Sequence, residues 1–350
     1  MREVAQLAQV SVKTVSRVFN NDPHVLPETR TRVETVLREL HYVPNTVATT
    51  FRRGRVTSIG VAVPDLADPF FSAVAKAVDQ VASENGMTVF IADIGWDAAA
   101  EAAALEALIS RQPGGLVIVP TSTDQGYLRQ WAERIPLVFV DRCPVDLDAD
   151  SFTENDHAGA YLATRHLAEH GHRSIAFFGD SFDITTVRNR FEGYQDALRD
   201  AGLVVDEDLV FLGATDATGA EEAVSRLSAH PASPTAIFSS NARCTMHLVP
   251  AVAGGHWAIV GFGDFPMANM LSPGITVIDQ DPVALGRMAA QRVVDRIEQP
   301  DRHYQRRNIL PVRLRERESC GWSAAEPGLF PRSSPAGRSF WPAAQVVAAG

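Results

Sequence analysis

"VSVKTVSRVFNN", Val10 to Asn21, is the stretch on which the reading of this chain turns. Val15, Val18 and Phe19 follow i, i+3, i+4 spacing and leave Lys13 and Arg17, one helical turn apart, on another face. Just before it, Val4, Leu7 and Ala8 repeat the same spacing, and the period breaks near Gln9 and Val10. Ser11 stands where its hydroxyl can accept from the first N–H groups of a second helix. Pro27 suits the first turn of a third helix, whose apolar stripe is Val33, Val36, Leu37 and Leu40. Three short amphipathic helices with a tight turn between the first two predict a helix-turn-helix unit.

In such a unit the N-terminal residues of the second helix meet base edges in the major groove. Val12 then touches a thymine methyl, Lys13 and Arg17 donate to guanine, and Ser16 and Asn20 reach phosphates. Taken alone, a Lys–Arg pair at this spacing is more often a solvated helix face. The charge distribution favours the first reading. Net charge is −10, yet residues 1–55 carry nine Lys and Arg against five Asp and Glu, leaving 23 against 37 for the rest. A basic head can approach phosphates that an acidic body repels.

A length of 350 residues predicts two or three domains. No apolar run reaches the roughly 18 residues of a membrane span, and the first residues lack the apolar stretch of a signal peptide. Cys143, Cys244 and Cys320 form no CxxC pair, so neither a disulfide framework nor a zinc site is expected. The expected compartment is the cytoplasm, with no membrane association.

From Thr57 the pattern changes. "SIGVAVP", "TVFIADI", "GLVIVP", "PLVFVD", "SIAFFGD", "LVFLGA", "TAIFSS" and "AIVGFG" are strand-length apolar runs, most of them separated by helical patterns. This alternation predicts parallel sheets covered on both faces, arranged as two doubly wound subdomains with a cleft beyond the carboxyl ends of their strands. No GxGxxG, P-loop or GxSxG motif is present, so no enzyme and no cofactor is expected. In "RHLAEHGHRS", His166 and His170 share a helix face as metal ligands can, but the glutamate of HExxH is missing. These two and His172 are read as surface and C-cap histidines, Gly171 as the helix stop, and no metal is expected. Asp146, Asp148 and Asp150 are read as solvated loop carboxylates.

The segments "VSVKTVSRVFN", "RVETVLRELHYVPN" and "VATTFRRGR" together resemble the DNA-binding head and hinge of the lac and galactose repressor family of bacterial transcription factors. "SIGVAVPDLADPFF", "RHLAEHGHRSIAFFGD", "RNRFEGYQDAL", "PTAIFSSN" and "LPVRLRERES" extend the resemblance over residues 2–320. It implies an α/β chain with an all-α helix-turn-helix head at 1–44 and a hinge helix and linker at 45–56. A periplasmic-binding-protein-like core of doubly wound parallel sheets follows at 57–320. Its N-subdomain would comprise 57–153 plus 282–307, and its C-subdomain 154–281 plus 308–320. The Pro-, Gly- and Ala-rich tail at 321–350 is expected to be disordered.

The resemblance also implies roles. Asn45, Ala48 and Phe51 of the hinge would enter the minor groove, with Phe51 standing where the family has leucine. Asp65, Phe70, Asp141, Arg142, Arg190, Asn241 and Asp264 would face the effector, offering polar contacts to ring hydroxyls or carboxylates and one aromatic face. The implied function is a sequence-specific transcriptional regulator, a repressor homodimer on a pseudo-palindromic double-stranded operator, controlled by a sugar-like small molecule. The chain departs from the family at Gln9 (a turn glycine there), at Leu26 (a serine cap) and at Gly263 (a carboxylate). The alternatives are a solute-binding sensor with no DNA role and a degenerate regulator that no longer responds to ligand.

Overall fold

The computed structural model describes residues 2–19, 22–40, 58–213, 215–253, 255 and 257–321. The chain divides into two units, Met1–Val56 and Thr57–Gly350. The first holds α1 (Arg2–Leu7), α2 (Val12–Phe19) and α3 (Pro27–Glu39) around a core of Val4, Ala5, Ala8, Val15, Val18, Val33 and Val36. Leu7, expected inside, is 57% exposed, and Ala5 is buried in its place. The stripe that α1 presents to its neighbours is therefore 4, 5 and 8, and Leu7 falls just beyond its edge.

The turn between α1 and α2 places Gln9 at φ 51°, the left-handed region that a glycine enters without a Cβ clash. Ser11 Oγ accepts from Thr14 N at 3.0 Å, as the sequence predicts for a cap. Leu26 at the N-cap of α3 supplies no side-chain acceptor, and Pro27 partly offsets this by removing one N–H that would need a partner. The side chain of Phe19, the whole of Asn20, Asn45, Ala48 and Phe51, the 45–56 hinge and the tail beyond 321 lie outside the described residues.

The second unit contains two six-stranded sheets. The first is ordered β11-β5-β4-β3-β1-β2 and is parallel throughout. Its strands are β1 (Ser58–Val63), β2 (Thr88–Asp93), β3 (Leu116–Ile118), β4 (Leu137–Val140), β5 (Asp150–Glu154) and β11 (Arg307–Leu310). The second is ordered β12-β10-β9-β8-β6-β7, parallel except for its edge strand β12. It is built from β6 (Ile175–Gly179), β7 (Val210–Leu212), β8 (Ala236–Ser239), β9 (Ala258–Phe262), β10 (Thr276–Asp279) and β12 (Arg313–Arg315). Strands β1, β3, β4, β6, β8 and β9 are buried at every position, which is why they read as unbroken apolar runs.

Helices cover both faces of each sheet. On the first, α4 (Pro69–Glu84) and α11 (Pro282–Glu298) pack over Ile59, Val61, Val117 and Val138, while α5 (Ala98–Ile109) and α6 (Arg129–Ala132) cover Ile118 and Phe139. On the second, α7 (Asp156–Glu169) and α8 (Thr185–Asp200) enclose Phe177, Phe238 and Phe262, and α9 (Ala217–Ser228) and α10 (Ala242–Ala251) enclose Phe178, Ile237 and Ile259.

The chain crosses between the sheets three times, after β5, after β10 and after β11. The last crossing corrects the expected boundary at 307: Arg307–Leu310 pairs with Ser151–Glu154 in the first sheet, so the passage falls at 311–312. Asp150 is a second correction. It opens β5, is 2% exposed, and is gripped by Arg296 at 2.8 and 3.0 Å and by Arg292 at 3.1 Å, cations that α11 brings from far along the chain.

The close approach of α7 and α8 depends on Gly193, where an added Cβ would overlap the carbonyl oxygen of His157 on the facing helix. That neighbour is backbone inside a helix and cannot turn aside. Gly193→Ala is expected to destabilise the core by about 1–3 kcal/mol, read as a lowered urea midpoint.

Candidate functional sites

In the head, α2 turns Val15 and Val18 into the core and leaves Val12, Lys13 and Arg17 exposed, with Ser16 half-buried among them. At about 100° per residue, positions 12, 13, 16 and 17 share one arc of the helix. Four of the five residues expected at the major groove and its phosphates therefore stand together, and the fifth, Asn20, is outside the described residues. Arg17 Nε lies 3.5 Å from a carboxylate oxygen of Asp22. Asp22 is held ionised below the usual carboxylate range, first by the backbone N–H of His24 and then by the His24 ring. Arg30 donates to the Asp22 carbonyl at 2.7 Å. Asp22 thus orients Arg17 in the free protein, a role that helical periodicity does not signal because it sits beyond the helix end.

In the core the two sheets share a cleft. Strand order reverses at β1, between β2 and β3, and at β6, between β7 and β8, the topology that opens a crevice at carboxyl strand ends. From the first sheet, Asp68 and Phe70 follow β1, Trp96 follows β2, and Asp141 and Arg142 follow β4. From the second, Asp180 follows β6, Asn241 and Arg243 follow β8, Gln280 follows β10, and Arg190 reaches in from α8. They surround an inner space of about 40 Å³. Outside it a wider space of about 470 Å³ is lined by Thr121, Ser122, Asp183, Arg188 and again Trp96 and Arg243.

Of the seven residues expected at an effector, the fold brings Phe70, Asp141, Arg142, Arg190 and Asn241 to this cleft. Asp65 and Asp264 are not among its lining residues. Asp65 accepts from Ala67 N within its own loop, and Asp264 is occupied by Arg317 at 2.6 and 3.0 Å. Gly263, in place of the family's carboxylate, has φ 88° and faces Gln280 Oε1. Sequence reasoning missed Asp68, Trp96, Asp180, Arg243 and Gln280. Each follows a strand end, and strand-end position was the available signal.

Polar groups in the cleft are tightly paired. The Trp96 indole has two guanidinium groups near its ring centroid, Arg142 at 5.5 Å and Arg243 at 5.0 Å. Arg243 also pairs with Asp180 at 3.1 Å, and Asn241 donates to Asp180 at 2.9 Å while capping α10 through Cys244 N. Arg142 donates to Pro120 O at 2.8 Å and lies 3.1 Å from Asp141, whose φ of 69° is a strained conformation for a non-glycine residue. Behind them, Arg190 donates to Asp156 at 2.7 Å and to the Ser240 carbonyl at 2.7 Å.

Burial works against the Arg190 charge, but Asp156, Asp141 and Glu154 outweigh it and raise its pKa. Three buried carboxyls thus face two cations, Arg190 and Arg142. Burial, with Asp141 and Asp156 nearby, pushes the Glu154 carboxyl well above the usual carboxylate range. Burial also lifts Asp68 to about 6, against the opposing hydrogen bond from Phe70 N and the charge of Arg243.

A helix-turn-helix unit joined to two doubly wound sheets with a polar cleft at their strand ends is the architecture of a ligand-sensing DNA regulator. The chain belongs to the LacI family of bacterial regulatory proteins. Residues 1–45 match the family description "Bacterial regulatory proteins, lacI family", and residues 56–318 match "Periplasmic binding proteins and sugar binding domain of LacI family". It is 31% identical over 328 residues to the ribose operon repressor of Escherichia coli (strain K12), covering 91% of this chain and 99% of that one. It is 30% identical over 298 residues to the HTH-type transcriptional regulator GalR of the same organism, covering 83% of this chain and 87% of that one. The crystal structure of the lac repressor dimer bound to operator and the anti-inducer ONPF superposes with a TM-score of 0.79 at 26% identity, covering 91% and 97%. The protein is a transcriptional regulator and not an enzyme.

The Asp68 carboxyl gives a test of the cleft's electrostatics. Its folded pKa of about 6 lies above the roughly 3.9 of an unfolded aspartate, so its ionisation costs stability as pH rises between those values. Asp68→Asn keeps the N-cap oxygen and has no proton to lose. Measured by urea unfolding, the variant should gain on the order of 2 kcal/mol relative to wild type between pH 4 and pH 7. Parallel profiles would show that Asp68 ionises freely.

Proposed function

We propose that the chain is a repressor homodimer that reads a two-fold-symmetric operator through paired heads and responds to a sugar-like effector held in the inter-sheet cleft. Val12, Lys13 and Arg17 read bases, and Ser16 and Asn20 hold phosphates. Asn45, Ala48 and Phe51 of the hinge engage the minor groove, with Phe51 as the unstacking wedge. The operator and a cytoplasmic setting go together. Among the described residues, no helix is long and apolar enough to cross a membrane.

The observation that carries the effector half is the cleft lining. Carboxylates of Asp68, Asp141 and Asp180, donors on Arg142, Arg243 and Gln280, and the Trp96 face meet in one place, a combination that suits a ring bearing many hydroxyls. Asp65 and Asp264 have no part in this reading. The inner 40 Å³ has room for water and not for a ring. Effector entry therefore separates the Trp96–Arg243 contact, which joins one subdomain to the other. A ligand that binds the two subdomain arrangements unequally shifts the population between them, and that shift is the signal to the hinge. The ribose operon repressor and GalR, among its relatives, support a monosaccharide as the first class to try.

Two measurements test the reading. Protein incubated with sheared genomic DNA at physiological salt is expected to retain fragments that share a symmetric site. Arg17→Ala should lose the enrichment while still binding DNA non-specifically, because a bidentate Arg–guanine contact discriminates by about 1–3 kcal/mol. Equal enrichment by both proteins would remove Arg17 from base reading. For the cleft, a panel of monosaccharides is expected to contain one that changes tryptophan emission in wild type and not in Trp96→Phe. A change that persists without Trp96 would place the sugar elsewhere.

A further inference from the structure

Of the three histidines near the end of α7, His170 is the exposed C-cap residue that the sequence suggests, but His166 and His172 are buried. His166 is 7% exposed, and among the described residues its Nε2 is enclosed without a hydrogen-bond partner. An imidazole nitrogen buried in this way normally has a partner, so its position calls for one. His170, one helical turn on, has its ring centroid 4.2 Å from that of His166. His170 Nδ1 is 2.9 Å from the His166 carbonyl, which can only accept. Nδ1 therefore carries the proton, and the lone pair of His170 sits on Nε2.

That Nε2 lies 3.9 Å from Glu316 Oε1. Cys320 comes to the same point from the final turn, Glu318–Cys320, and its sulfur is buried. Ligand atoms from His166, His170, Glu316 and Cys320 all lie within 4.8 Å of one another.

We propose that these four side chains form a mononuclear site for a divalent transition metal of the zinc type, closing the segment 316–320 onto the C-terminal end of α7. Two imidazoles, a carboxylate and a thiolate form a borderline-soft donor set that favours zinc over calcium or magnesium. Tetrahedral bonds of about 2.0–2.3 Å put ligand atoms about 3.3–3.8 Å apart, so the four groups must draw together by about an ångström. His170 and Glu316 are exposed and can supply that movement, while His166 and Cys320 are fixed by packing. The same exposed pair gives the ion its entry path.

The supporting contacts fit as well. His170 passes its Nδ1–H to a backbone carbonyl, and the Thr276 hydroxyl lies 3.4 Å from Cys320 Sγ, where it can donate to a thiolate. On binding, the Cys320 thiol gives its proton to solvent and the sulfur electron pair goes to the metal, so one proton leaves for each ion bound.

The test uses the full chain, reduced, titrated with cobalt(II) as a spectroscopic stand-in for zinc. One equivalent should produce a thiolate-to-cobalt charge-transfer band in the near ultraviolet together with strong visible absorption, both abolished by adding zinc. Cys320→Ser should lose the near-ultraviolet band, and His170→Ala, at an exposed position that leaves the core intact, should weaken affinity at least tenfold. Cys143→Ser should keep the wild-type spectrum. Zinc should also raise the unfolding temperature of wild type, and His170→Ala should need at least tenfold more zinc for the same rise. Absence of the band at one equivalent, wild-type binding by His170→Ala, or loss of the band in Cys143→Ser would each overturn the assignment.

Discussion

The Arg190 guanidinium sits where the second sheet meets the cleft, and much of the surrounding structure is organised to keep it charged. It donates to Asp156 at the start of α7 and to the Ser240 carbonyl just past β8, and it lies 3.8 Å from the centroid of the Phe262 ring of β9. One side chain of α8 therefore fixes a neighbouring helix and the ends of two strands. Leaving a buried carboxylate without its cation costs about 3–5 kcal/mol, so such a cluster tolerates few arrangements. The Trp96–Arg142–Arg243 stack and the Asn241–Asp180 pair are built on the positions this cluster holds.

A second constraint explains why so many polar groups converge there. Both faces of the central strands are covered by helices, so a polar side chain within a strand would lose water on either side. Polar residues can leave the core only at strand ends, and the two sheets present their carboxyl ends to each other. Asp68, Asp141, Asp180, Asn241 and Gln280 each follow such an end. Buried carboxyls then outnumber the nearby cations, and burial raises their pKa values, that of Glu154 above all. A ligand that supplies hydrogen-bond donors relieves this arrangement, which gives the cleft a preference beyond shape.

The head is legible for a different reason. Helical spacing over a few residues places Val15 and Val18 inside and Lys13 and Arg17 outside, and a short domain offers few other ways to bury its apolar residues. The exception is Leu7. A six-residue helix contributes only part of a turn to the core, and the smaller Ala5 fits between α2 and α3 where Leu7 does not.

In the second unit, eight apolar runs announced eight strands; six of these are buried at every position, which leaves a continuous hydrophobic record, and the edge strands β2 and β7 are apolar though partly exposed. The strands β5, β10, β11 and β12 left a weaker one. Asp150 opens β5 as a charged residue whose burial depends on Arg292 and Arg296, more than a hundred positions later, and "RNIL" in β11 lies at a sheet edge with alternating exposure. Local pattern determined the fold class and the helix that presents Lys13 and Arg17, and the family resemblance supplied five members of the cleft. Tertiary structure alone decided which carboxylates are buried, that Trp96 meets two arginines, and that His166 comes near Cys320. Each of these depends on groups that are distant in the chain and close in space, and their charge and solvation follow from that proximity.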